Sequence, residues 1–99
     1  MIIIHPPKPM KASFGTVDVS HACSTQHGHT GTVELLAFGK KIGLQKSALR
    51  NAGRWNEHFL LHGSKISLAS ENGATYRSFQ MFHDDLNSKR LGTLTKEKR

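Results

Sequence analysis

Hydrophobic positions along this chain cluster into short runs separated by polar, glycine-rich stretches. Leu35, Phe38 and Ile42 recur at helical spacing within Glu34 to Leu44, and Gly43 sits where a left-handed residue ends a helix. The pattern predicts a first helix opening at Thr30 or Gly31 and running to about Ile42. A second helix is expected over residues 64–72, with Ser64 as N-cap and Asn72-Gly73 as stop. Ser78 is placed to cap a last helix with Phe79, Phe82 and Leu86 on one face.

Between these helices lie short extended patterns. Met1 to Ile4 is an apolar run ended by His5-Pro6-Pro7. Gly15 to Ser20 alternates and is β-branched, and Ala74 to Arg77 has strand composition. Lys8 to Phe14 is expected to be a loop. His21 to Thr30, rich in small and polar residues, has the composition of a ligand-binding loop, and Ser47 to Asn51 is ambiguous. Strands alternating with helices predict a small single-domain α/β layer of short strands with about three helices. The domain is expected over residues 1–92, with residues 93–99 a basic, flexible tail.

Ninety-nine residues suffice for one modest core and one site. The opening apolar run is too short for a signal peptide, and no run approaches the roughly 20 residues of a membrane span. With a single cysteine, Cys23, no internal disulfide framework is possible, so cytoplasmic residence without membrane association is the default. The net charge is +7, of which residues 87–99 carry +4 and residues 1–86 only +3. A moderately basic domain suits an anionic partner, although charge alone does not separate a nucleotide from nucleic acid.

Chemistry concentrates around Arg54-Trp55-Asn56-Glu57-His58-Phe59-Leu60-Leu61-His62. Seven histidines is a high count, and His21, Cys23, His27 and His29 fall within nine residues. Imidazole and thiolate suit zinc, but the irregular spacing and the absence of a Cys-x-x-Cys pair leave no metal expected. His58 and His62 share a face if that segment is helical, while Trp55 to Leu61 reads equally well as extended. Cys23 reads as a small buried residue rather than a nucleophile. Glu57 is the one acid beside the histidines. Gly39, Gly43 and Leu49 have the spacing of a helix-turn-helix whose second helix would offer Lys46, Ser47 and Arg50 to a DNA groove, but Asn51-Ala52-Gly53 interrupts it within two turns.

Glu34 to Leu44, then His58-Phe59-Leu60-Leu61, Ser64-Lys65 and Gly73-Ala74, together resemble a family of small bacterial and phage proteins known only as a domain of unknown function. The resemblance covers roughly residues 2–86. Ser20-His21-Ala22-Cys23 is similar to the family's short histidine motif, with its spacing stretched by Gln26 to Gly31. Where the family carries aspartates after the first strand this chain has His5-Pro6, and its His-Tyr-Asp motif reads His58-Phe59-Leu60 here. Both acidic positions are missing, so the resemblance implies no Mg²⁺ or Mn²⁺ apparatus.

The resulting expectation is non-catalytic binding of a phosphorylated, nucleotide-like ligand, with no cofactor, no metal and no catalytic residue. His21, Arg50, Arg54, Trp55, His58 and His62 are the candidate ligand-binding residues: arginines and histidines donate to phosphate, and Trp55, Phe59 or Tyr76 offers a stacking face. The phage setting implied by the resemblance suggests sequestration of a host immune-signalling nucleotide. The competing expectations are a helix-turn-helix DNA-binding protein and a hydrolase using His21, His58 and Glu57. Nucleic-acid binding and homo-oligomerisation are left open.

Overall fold

A computed structural model describes residues 1–97, without the side chains of residue 12 and residues 92–97. The elements run β1 (Ile2–Ile4), β2 (Lys8–Ala12), β3 (Gly15–Ser24), α1 (Gly28–Lys41), a 3₁₀ turn (Lys46–Ala48), β4 (Phe59–His62), α2 (Ser64–Glu71), β5 (Thr75–Tyr76) and α3 (Phe79–Glu97). The α/β expectation holds: a five-stranded mixed sheet carries three helices.

The long strand β3 organises the sheet. One edge pairs antiparallel with β4, the other with β2 and then with β1, which also pairs in parallel with β5. Alternation along the strands gives two faces. Ile2, Ile4, Ala22, Phe59 and Leu61 pack against Leu35, Phe38 and Ile42 from α1 and its C-cap, and against Ile66 and Ala69 of α2. The opposite face is smaller, with Ile3 and Cys23 packed against Phe82 and Leu86 of α3.

α1 ends where the sequence predicts. Gly43 adopts φ +82°, its N–H donates to the Lys40 carbonyl, and the Leu44 N–H reaches back to that of Gly39. This doubly bonded ending needs a left-handed residue, which glycine supplies without a Cβ penalty. The Lys65 ammonium donates to the Ile42 carbonyl, placing a cation at the negative end of the helix. Ser78 caps α3 as expected, its hydroxyl accepting the Met81 N–H at 3.2 Å.

Several expectations are corrected. Lys8–Ala12 is a strand; its proline and lysines suit the sheet edge it occupies. β3 continues through His21 to Ser24, because Ala22, Cys23 and Ser24 are small residues buried in the sheet rather than loop residues. Gly63, not Ser64, is the N-cap of α2. No second helix follows Gly43: residues 46–48 make one 3₁₀ turn and Leu49 is extended, so the recognition helix of a helix-turn-helix is not formed there. α3 extends through residues 93–97, where the sequence places the tail; residues 98 and 99 of that tail lie outside the described residues.

Candidate functional site

The site is built where the sheet ladder breaks. Ile4 pairs with Ala22 and Lys8 with Val19, so His5-Pro6-Pro7 faces only Ser20 and His21 on β3. One extra residue makes a bulge, and proline has no N–H to offer a ladder. The His5 ring substitutes for the missing backbone. Its Nε2 accepts the His21 backbone N–H at 3.0 Å, and the Ser20 hydroxyl donates to the His5 carbonyl at 2.8 Å.

These contacts fix protons. The His21 backbone N–H can only donate, so His5 Nε2 carries a lone pair, and His5 Nδ1 is the atom that donates to the Pro6 carbonyl at 2.7 Å. His21 Nδ1, 2.8 Å from His5 Nε2, is therefore the donor of that pair. His58 Nδ1 donates likewise to the Asn56 carbonyl at 2.9 Å. Both imidazoles are engaged at Nδ1, so in the neutral ring Nε2 of His21 and of His58 is the acceptor. The rings of His21 and His58 meet edge to face at 5.2 Å.

Burial, followed by the neighbouring imidazoles of His5 and His58 and the Lys8 ammonium, lowers His21 to about 4. Burial is also the main cause lowering His5. Both rings are neutral near pH 7. An unfolded chain protonates them near pH 6.5, whereas the folded chain resists, so the stabilising contribution of each is present above pH 6.5 and is lost as pH falls below it, for His21 toward 4. Urea midpoints should therefore drop between pH 7 and pH 4, with a shallower slope in His21→Leu; identical slopes would contradict this account.

Arg50 joins the cluster through the backbone. Arg50 and His58 exchange both N–H···O bonds, at 2.9 and 3.1 Å. Residues paired in this way project their side chains to the same face, so Arg50 stands beside His58. The bridge closes a loop over residues 51–57, pinned from within by Glu57. The Glu57 carboxylate is 2 % exposed; it accepts the Thr32 hydroxyl of α1 at 2.8 Å and the Gly53 N–H at 2.9 Å.

That loop presents Trp55 and Asn56 to a cavity of about 300 Å³, which His21, Cys23, His58, Phe82 and Leu86 also line. A second hollow, about 380 Å³, adjoins it across His21, Phe82 and Leu86 and is edged by His5, Lys8 and His83. Of the expected site residues, His21, Trp55 and His58 come together and Arg50 flanks them. Arg54 is exposed in the loop turn and lines neither hollow.

His62 does not belong to this site. It ends β4, and four residues of strand separate it from His58 by roughly 13 Å. It lines a different groove, with Phe14, Asp18 and Tyr76. Phe59, offered as a stacking face, lies buried on the opposite side of the sheet. Cys23 is pushed up to about 12, chiefly by burial, so its thiol is no nucleophile at neutral pH. The carboxylate of Glu57 is taken up by Thr32 and Gly53. Among the described residues no group of three or more His, Cys, Asp and Glu could hold a metal ion, and no helix is long and apolar enough to cross a membrane.

In the sequence His5 stands out only as a missing acid, and Asn56 carries no signal. The signal for His5 was available in the two prolines after it, which guarantee an unmade ladder bond. The fold brings His5, His21 and His58 together. No protein-family model, curated protein or solved structure matches this chain.

Proposed function

We propose that this protein binds a phosphorylated, nucleotide-like ligand in the cytoplasm without turning it over, with the base in the Trp55 cavity and the phosphate at its Arg50 side. The observation that carries the reading is the convergence of Trp55, His21 and His58 on one cavity with Arg50 beside it. A volume of about 300 Å³ lies at the low end of the roughly 300–1,000 Å³ usual for ligand pockets, enough for one planar ring system. Arginine offers a bidentate fork to a phosphate at the rim. Holding rather than turnover is favoured because Glu57 is committed to Thr32 and Gly53 and the Cys23 thiol is protonated. In the phage setting that the family resemblance implies, the held molecule would be a host signalling nucleotide.

Trp55 is the only tryptophan, so its fluorescence reports directly on the cavity. Titration with AMP, GMP, CMP and UMP should change that emission for at least one of them. Arg50→Ala should weaken the binding about tenfold, some 1.4 kcal/mol, and Arg54→Ala less. The nucleotide should be recovered chemically unchanged after heating the complex. Unaltered emission with all four would overturn the proposal, and turnover lost in His58→Ala would replace binding with hydrolysis.

A further inference from the structure

Three polar atoms around the Trp55 cavity carry lone pairs that no donor meets among the described residues. With Nδ1 of each ring donating to a protein acceptor, Nε2 of the neutral imidazole is the acceptor in both His21 and His58. The third is Asn56 Oδ1, which is buried and has no hydrogen-bond partner among the described residues. A buried acceptor left unpaired costs free energy, and natural structures seldom keep one without a use for it. All three belong to residues lining the same cavity.

The complementary ligand surface is an edge carrying several N–H groups. An ammonium or guanidinium would supply them, but the chain is +7 overall, and Arg50 and Lys8 flank the two hollows. A neutral donor edge avoids that repulsion. Among the common nucleobases, adenine and cytosine present one amino group beside a ring acceptor, and uracil presents one N–H between two carbonyls. Guanine alone sets a ring N–H next to an amino group, placing three N–H bonds along one edge. Building on the nucleotide reading above, we infer that the cavity selects guanine, through hydrogen bonds from its N1–H and 2-amino group to His21, His58 and Asn56.

The test compares GMP, IMP and AMP by Trp55 fluorescence, with circular dichroism melts to verify folding of each variant. IMP keeps the N1–H and the phosphate and lacks only the 2-amino group. GMP should bind about tenfold more tightly than IMP, because a site built to accept a hydrogen bond leaves its acceptor unpaired when the donor is missing. AMP should bind more weakly still. Asn56→Ala should narrow the GMP-to-IMP ratio, whereas Arg50→Ala should weaken both alike and preserve it. Equal binding of GMP and IMP, with Arg50→Ala still weakening both, would overturn the guanine assignment and leave nucleotide binding standing. If none of the three bound, nucleotide binding itself would fall.

Discussion

Phe59→Ala is expected to cost about 3–5 kcal/mol of unfolding free energy, enough to leave much of a 99-residue domain unfolded. Phe59 is 1 % exposed and sits at the centre of the larger core. Its ring lies so close to α1 that a Cβ added at Gly39 would approach it to 2.6 Å. Helix and strand are thus in contact through a glycine, and the aromatic ring fills the space that a side chain would take. Gly39→Ala should destabilise by about 1–3 kcal/mol through overpacking, offset in part by the helix preference for alanine. The two sites should couple. In Phe59→Leu the smaller side chain makes room for the alanine methyl, so Gly39→Ala should cost less there than in the parent. Additive losses in urea unfolding would show that no such close contact exists.

Glu57→Ala carries the second large effect, about 3 kcal/mol. Removing the carboxylate strips an acceptor from the Thr32 hydroxyl and from the Gly53 N–H together, and it severs the loop of residues 51–57 from α1. Glu57→Gln keeps the shape and one acceptor oxygen and should lose less. Because the same loop carries Trp55, its emission in the free protein should shift to the red in Glu57→Ala even where circular dichroism still reports folded chain. A loss below about 1 kcal/mol, with emission unchanged, would mean the carboxylate is dispensable.

The elements with a clean helical period were legible in the sequence. Leu35, Phe38 and Ile42 face the core as their spacing says, and Ser78 caps α3. His21 to Ser24 misled because small, polar residues mark loops by composition, whereas here Ala22, Cys23 and Ser24 are buried in β3. The site was half legible. Trp55 and His58 are near neighbours, but His21 reaches His58 only through the pairing of β3 with β4. Arg50 reaches it only through an isolated bridge. Histidines were expected to donate to phosphate. In the structure Nδ1 of His21 and of His58 is spent on protein partners, which are visible only in three dimensions.

The position of β1 has a consequence for how the chain acquires its structure. Ile2–Ile4 is synthesised before either strand it pairs with, yet it lies between β3 and β5, and its parallel partner is more than seventy residues downstream. A parallel pair joined across such a span closes late, because the entropy of a long loop must be overcome before the contact forms. Until Thr75 and Tyr76 are available, one edge of the most apolar segment of the chain stays open to other strands. Refolding yield should therefore fall as protein concentration rises, and a nascent chain halted before residue 75 should be a chaperone substrate while the completed one is not.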